Sequence, residues 1–268
     1  SMDTADKLSR YAKEIGYDIS IIGLPKTIDN DLPITDHTPG FGSAAKFICA
    51  SCVEVFLDVR SFDIPYIIII EAMGRNAGWL AAASALVREQ YDTPDLIYLP
   101  EAVFDLDRYY ADVKKVLERK EMAFVVISEG IKTADGNYFC EQTGDLDQDR
   151  FGHKNLGGSA DLLGKLSKDR FGCKVRAIEL GRWPRCAWHF DSGTDVNESF
   201  GRGRAGVRAA HSGEEGVMMP IERLEGLIYS VDIGSCPLSQ VANAERRVHL
   251  EWINKGQNFV TKECNDYI

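Results

Sequence analysis

Apolar and polar positions fall in alternating blocks along this chain. The runs at 19–24, 66–71 and 124–128 are short, rich in β-branched residues and apolar throughout, as buried parallel strands are. Residues 95–99, bounded by Pro94 and Pro100, read as a further strand, and 174–179 and 216–219 complete the set. Between them the pattern turns helical. Residues 4–15 form a helix with Asp3 as N-cap, Asp6 near its positive end and Gly16 as its stop. Helices follow over 44–59, opened by the Gly40–Ser43 turn, and over the alanine-rich 75–89. An amphipathic helix covers 106–120 with Asp105 as cap, and others cover 159–171 and 197–211. The tail from Ala244 holds a turn and a short last helix. Strands alternating with helices at this spacing predict an α/β fold, a mostly parallel sheet covered on both faces. Residues 132–155, rich in Asp, Gly and Gln, form the longest irregular stretch and a candidate flexible loop. The chain shows no internal repeat and no low-complexity segment.

At 268 residues the chain is long enough for a large core and for one or two lobes. No apolar run is long enough to span a bilayer, and the first ten residues, SMDTADKLSR, lack the charged-then-apolar pattern of an export signal. The seven cysteines are scattered, without ligand-like pairs flanked by histidine. Cys49 and Cys52, on one predicted helix, read as ordinary buried thiols, which fits a reducing cytoplasm. A net charge of −10 argues against nucleic acid as a partner. It also gives weight to arginines and lysines in turns, because an acidic protein that binds phosphates must gather its cations locally.

The chemistry is concentrated between residues 18 and 46. Pro25 ends the first apolar run because it has no N–H for a sheet ladder. Lys26, Thr27, Asp29, Asn30 and Asp31 then come within six residues, too polar for a core. If 28–31 stays extended, Asp29 and Asp31 point to the same side and meet Lys26 just past the carboxyl end of a strand. Such a trio suits phosphoryl transfer: one carboxylate accepts a hydroxyl proton, the other holds Mg2+, and the ammonium holds a phosphate. A solvated loop with a capping role accounts for the same residue types. Further on, Met73-Gly74-Arg75 closes the strand at 66–71 and leads into a helix at Asn76. The amides near Gly74 and Gly78 would make an anion site there, to which Arg75 adds a bidentate grip. A tight turn with a surface arginine is the plainer reading.

The string PKTIDND followed by TDHTPGFGSAAK resembles the 6-phosphofructokinase family, and within it the pyrophosphate-dependent branch. The resemblance recurs at Met73-Gly74-Arg75, at Ser128-Glu129-Gly130 and around Arg176 and Arg185, in the family's order and spacing, over nearly the whole chain. It implies two Rossmann-like lobes of the phosphofructokinase type, the first incomplete. Residues 1–40 would be a remnant of the phosphate-donor lobe, 41–184 the sugar-phosphate lobe, 185–229 the return to the first lobe, and 230–268 a segment packing on the second. Ser1-Met2-Asp3 matches the residues just after the family's glycine-rich donor loop. About a hundred preceding residues would then be absent, given the usual size of such lobes; Ser1-Met2 also fits the remnant of an expression tag.

The implied reaction is reversible transfer of a phosphoryl group from inorganic diphosphate to fructose 6-phosphate, with Mg2+, in glycolysis. The resemblance makes Asp29 the general base, Asp31 the Mg2+ partner, and Lys26 and Thr27 the donor-phosphate contacts. Lys26 points to diphosphate, since the ATP-using branch has glycine at that position. Met73, Gly74 and Arg75 would hold the sugar and the transferring phosphate, and Glu129 would accept from sugar hydroxyls. Arg176 and Arg185 would clamp the 6-phosphate, one of them reaching across from a neighbouring subunit, which implies a homo-oligomer (dimer or tetramer) or a partner subunit. Three departures stand out: Tyr66 falls near a subunit-crossing arginine, Arg182 replaces a histidine, and Pro184 replaces a glutamine. His189 reads as a packed core histidine. The alternatives are ATP as donor and a catalytically incomplete member that binds sugar phosphate or regulates a partner. On the truncated reading these 268 residues alone carry little or no activity and expose apolar sheet surface.

Overall fold

The structure is a computed structural model that describes residues 1–143 and 156–268. Two compact units make it up: Ser1–Ser43 with Asp191–Arg246, and Ala44–Phe190 with Arg247–Ile268. Their divisions come after residues 43, 190 and 246, against sequence-based boundaries at 40, 184 and 229.

The second unit is built on a parallel four-stranded sheet of order β3-β4-β2-β5, where β2 is Tyr66–Ala72, β3 Leu96–Tyr98, β4 Met122–Ser128 and β5 Lys174–Glu179. Strand β2 pairs on both sides and every one of its residues is buried, so its sequence carries no alternation. Edge strand β5 does alternate: Lys174 and Arg176 are exposed while Val175 and Ala177 pack inward. Helices α4 (Leu106–Arg119) and α5 (Ser159–Phe171) contribute Tyr109, Val113 and Leu163 to the core formed with Ile67, Ile69, Val125 and Ile127. Asp105 caps α4 as expected, its carboxylate accepting the Arg108 N–H at 2.7 Å. On α2 (Phe41–Val59), which starts at Phe41 rather than at 44, Cys52 is buried. The half-buried Cys49 thiol donates to the Ala83 carbonyl at 3.2 Å, and burial pushes it up to about 11.

Two expectations in this unit need correction. The helix predicted over 75–89 begins only at α3 (Trp79–Ala83) and tightens to a 3-10 turn over Ser84–Glu89. Gly74 (φ 140°) and Arg75 (φ 48°) are outside the helical region, and Ala77 N–H closes a turn onto the Gly74 carbonyl at 2.8 Å. Of the loop predicted to be flexible, 144–155 lies outside the described residues. Residues 132–143 are tied down: Lys132 bridges to Val103 and Tyr138, and the buried Phe139 enters the core cluster. Ring contacts of Trp79 with Trp252 (6.0 Å) and with Tyr267 (5.2 Å) on α7 (Lys262–Tyr267) anchor the C-terminal tail.

The first unit carries a small sheet, β1-β6-β9, in which β1 (Ile22–Gly23) runs parallel to β6 (Val217–Met218) and β6 antiparallel to β9 (Cys236–Pro237). The strand expected over 19–24 is therefore shorter than its apolar run. Its partner is bounded by Gly216, in the left-handed region at φ 68°, and by Pro220, which lacks an N–H, so the ladder has nowhere to extend. Helix α1 (Met2–Glu14) starts before Asp3, which is not its cap; that carboxylate instead accepts from Lys7 at 2.7 Å and from Asn243 at 2.8 Å. Gly16 ends the helix as predicted, with φ 67° and N–H bonds from Gly16 to Lys13 (3.2 Å) and from Tyr17 to Ala12 (2.8 Å). Helix α6 (Gly193–His211) begins four residues before the predicted start, in a polar Gly-Thr-Asp segment that carries no apolar period. An antiparallel hairpin, β7 (Ile221–Arg223) with β8 (Val231–Ile233), was not foreseen, since three-residue strands are too short to show alternation. Among the described residues no helix is long and apolar enough to cross a membrane.

Candidate functional site

In the first unit, Lys26, Thr27, Asp29 and Asp31 lie in the loop that leaves the carboxyl end of β1. Lys26 is exposed, and Thr27, Asp29 and Asp31 are half-buried. The loop is not extended. Ile28-Asp29 forms a turn and Asn30 takes φ 55°, a conformation asparagine tolerates better than most residues, so strand alternation does not set the aspartates' directions. Thr27 Oγ1 accepts the Asp29 N–H at 3.1 Å. The Thr27 carbonyl accepts from Thr38 Oγ1 at 2.5 Å, and buried Asn30 Oδ1 accepts the Thr38 N–H at 3.1 Å.

Residues remote in sequence fix the two ends of this loop. Arg202 on α6, only 2% exposed, donates to the Pro25 carbonyl at 3.2 Å and to Thr35 Oγ1 at 2.9 Å. The Arg246 N–H donates to the Asp31 carbonyl at 2.6 Å, and its guanidinium reaches the carbonyls of Thr35 (2.8 Å) and Asp36. His37 is gripped between Asp36 (2.9 Å) and Glu198 (2.7 Å). Burial alone would lower its pKa, but the two carboxylates outweigh burial and hold the imidazole protonated, raised to about 9. Burial likewise works to raise Glu198, yet His37 and the Tyr229 hydroxyl hold it below its usual range. Asp195 takes the N–H of Gly40 (2.9 Å), the N–H of Ser43 (2.6 Å) and the Ser43 hydroxyl (2.6 Å), fixing the turn that opens α2. His37, Asp195 and Glu198 bring one potential metal ligand each within 4.8 Å of one another. Their atoms are spent on these internal bonds, which marks the cluster as a structural knot. Sequence reasoning missed Arg202, Asp195, Glu198 and Arg246 because they lie some 150–215 residues from the loop they hold; the only local hint was the unusual polarity of TDHTPG.

In the second unit, Met73, Gly74 and Arg75 come directly after β2, and Glu129 directly after β4 one strand over. The structure does bring these together. Glu129 Oε1 accepts the N–H groups of Gly74 (3.2 Å) and Arg75 (3.1 Å), and the Glu129 N–H donates to the Ala72 carbonyl at 2.9 Å. The anion held by these amides is thus the protein's own carboxylate. At Gly78 the N–H is likewise taken by the half-buried Glu101, at 2.8 Å. Gly130 is obligatory: a Cβ there would lie 1.4 Å from the Arg75 carbonyl oxygen. Asn76 Oδ1 accepts from Lys132 at 2.8 Å and from the Tyr138 hydroxyl at 2.9 Å, so the Arg75 backbone is braced on both sides while its side chain is exposed.

Arg176 stands on the exposed side of β5 and lines a pocket of about 350 Å³ with Glu54, Asp58, Phe62, Tyr66 and Lys174. Tyr66 stacks on Phe62 at 5.9 Å, and the Lys174 ammonium lies 4.5 Å and 5.1 Å from the Phe62 and Tyr66 ring centres. The residue at the departing position therefore carries a cation on its ring. Arg185 is exposed, in the turn Trp183–Arg185 beyond β5 whose Pro184 is buried, and it does not line the Arg176 pocket. His189 is exposed, in edge contact with Trp188 and Phe190, and is not the packed core histidine expected.

Each of these loops leaves the carboxyl end of a parallel strand, the position at which open α/β proteins receive their ligands. A family model, Phosphofructokinase, matches residues 1–183, and the chain belongs to the phosphofructokinase family, with the family's α/β fold. Along 100% of its length it is 39% identical to the pyrophosphate–fructose 6-phosphate 1-phosphotransferase of Methylococcus capsulatus and 40% identical to that of Xanthomonas campestris. The crystal structure of a pyrophosphate-dependent phosphofructokinase from Marinobacter aquaeolei matches 100% of the chain with a TM-score of 0.87 at 35% identity. The chain spans 64% of the length of each of these three proteins.

Proposed function

We propose that the chain carries the sugar-phosphate site and part of the donor site of an enzyme that moves a phosphoryl group from inorganic diphosphate to fructose 6-phosphate. The observation that carries this reading is the Lys-Thr-Ile-Asp-Asn-Asp loop past β1, within a chain 39% identical from end to end to a protein named for that reaction. Asp29 accepts the proton of the sugar's 1-hydroxyl as that oxygen forms its bond to phosphorus. The bridging P–O bond of diphosphate breaks, and inorganic phosphate leaves with the electron pair. Lys26 neutralises charge on the diphosphate, and Thr27 adds a hydrogen bond. The phosphoanhydride of diphosphate is replaced by one new phosphate ester and inorganic phosphate, and because no ATP is spent the reaction runs readily in either direction.

The donor set fits Mg2+. Asp31 is a hard oxygen ligand, half-buried in a loop that also carries Asp29. That suits an ion taking one or two protein carboxylates and completing its shell with phosphate oxygens and water. When bound, the ion neutralises charge on the transferring phosphoryl group. In the second unit, Arg75 grips phosphate and Glu129 orients the sugar hydroxyls next to Met73 and Gly74. Arg176 and Arg185 hold the 6-phosphate, one of them donated to a neighbouring copy in a cytoplasmic dimer or tetramer. On this reading 1–40 belong to the donor lobe and 41–184 to the sugar-phosphate lobe.

The test is formation of fructose 1,6-bisphosphate monitored by phosphorus NMR, in the 268-residue chain and in a form extended to the relatives' length. Asp29→Asn should lower kcat by about 10²–10⁴-fold with little change in KM for the sugar, as expected for loss of a general base. An Asp29→Asn variant with unchanged kcat contradicts the assignment.

A further inference from the structure

Glu71, the sixth residue of β2, is 4% exposed, and no role described above uses it. A buried carboxyl in the middle of an α/β core costs stability unless its contacts require it there. Its contacts converge on the segments that carry the sugar-phosphate residues. Its Oε2 accepts the Ala160 N–H at 2.7 Å, in the first turn of α5, and its backbone carbonyl accepts the Leu180 N–H at 3.1 Å, where the chain leaves β5 toward Arg185. The next residue, Ala72, accepts the Glu129 N–H at 2.9 Å, and Gly74 and Arg75 then close on the Glu129 carboxylate. Ser159, buried beside Ala160, points its hydroxyl at the Glu129 carbonyl at 3.5 Å.

We propose that Glu71 is a positioning residue for the sugar-phosphate site, locking the first turn of α5 to the end of β2 so that the Gly74-Arg75 amides and the Glu129 carboxylate keep their register. The proposal rests on the sugar-phosphate reading of Arg75 and Glu129. The lock depends on the charge state of Glu71. In the parallel register its neighbour on β5 is Glu179, and among the described residues the other titratable groups facing it are Glu129 from the end of β4, Asp161 from α5 and Cys140 from the 3-10 turn Phe139–Thr143. Burial, together with the acidic neighbours, raises Glu71 to about 8 against the pull of the Ala160 N–H, so it is neutral at pH 7. Above about pH 8 a further negative charge is forced in among these carboxylates.

The test compares the 268-residue chain with Glu71→Gln and Glu71→Ala between roughly pH 6.5 and 9.5. Fructose 6-phosphate affinity is read by calorimetry, and hydrogen exchange is read at the Gly74, Arg75 and Ala160 amides. The wild-type chain should lose about tenfold in affinity across the upper half of that range, while Glu71→Gln, which keeps the acceptor but cannot ionise, should give a flat profile. Glu71→Ala should bind about tenfold more weakly at every pH, with exchange at Gly74 and Arg75 faster by about the same factor. Glu71→Gln retracing the wild-type pH curve, or Glu71→Ala leaving affinity and exchange unchanged, would overturn the proposal. Exchange needs no ligand, so it separates the two ideas. A wild-type chain that binds no fructose 6-phosphate contradicts the proposed function, and the exchange profile of Glu71→Gln against wild type then decides the positioning role.

Discussion

The loop past β1 and the loop past β2 bear comparable polar residues, yet they are held in different ways. The loop past β2 is determined at short range within one sheet. Two adjacent parallel strands end side by side, Glu129 on one takes the amides of Gly74 and Arg75 on the other, and Gly130 leaves room for the Arg75 carbonyl. The loop past β1 has a two-residue strand for support and is held from outside that strand: by the remote Arg202 guanidinium on the Pro25 carbonyl, by the remote Arg246 backbone N–H on the Asp31 carbonyl, and by the nearer Thr38, whose hydroxyl donates to the Thr27 carbonyl and whose N–H donates to Asn30. Backbone geometry stiffens one loop, whereas buried polar bonds stiffen the other, and the two should fail under different insults.

The largest effect should come from touching the backbone-limited loop. Gly130→Ala places a Cβ 1.4 Å from the Arg75 oxygen and should cost at least about 4 kcal/mol by urea unfolding, with loss of fructose 6-phosphate binding. A fully stable Gly130→Ala protein would refute the backbone limit on this loop. Next comes Arg202→Met, which strips two buried bonds from the loop past β1 and should cost about 2–4 kcal/mol. Amide exchange should quicken at Asp29 and Thr38 and stay put at Gly74 and Arg75. Equal quickening in both loops would show that the distinction is wrong.

The mildest probe is pH. His37 has a folded pKa of about 9, raised by Asp36 and Glu198 against burial. Its stabilising contribution is complete below its unfolded value of roughly 6.5 and is lost as pH rises through about 9, a swing of about 3 kcal/mol at most. Melting temperature measured from pH 6 to 10 should fall across that window in the wild type. In His37→Gln the part due to this residue should vanish.

How much of the molecule could be read in the sequence splits along the same divide. The apolar runs of β2 and β4, the Asp105 cap and the bounds of α5 and β5 were legible, because local pattern and capping chemistry dictate them. The Arg75–Glu129 junction was legible only through motif spacing, and the capture of both amides by Glu129 was not visible at all. The loop past β1 was legible in its polar composition but not in its geometry. Extended backbone was assumed for 28–31, where Asn30 at φ 55° and the Thr27–Asp29 bond make a turn. Its supports could not be found, since nothing local to Asp195, Glu198 or Arg202 says which distant loop they hold. His189 was misjudged because its apolar neighbours, Trp188 and Phe190, form a surface cluster and not a core.

Whether the Lys26 loop takes inorganic diphosphate is decided by the ratio of initial rates with diphosphate and with ATP at matched Mg2+, for the wild type and for Lys26→Gly in the form extended to the relatives' length. Diphosphate should lead by at least about tenfold in the wild type, the preference narrowing in Lys26→Gly as one charge contact of roughly 1.5–3 kcal/mol is lost. Equal or faster transfer from ATP in the wild type would contradict it.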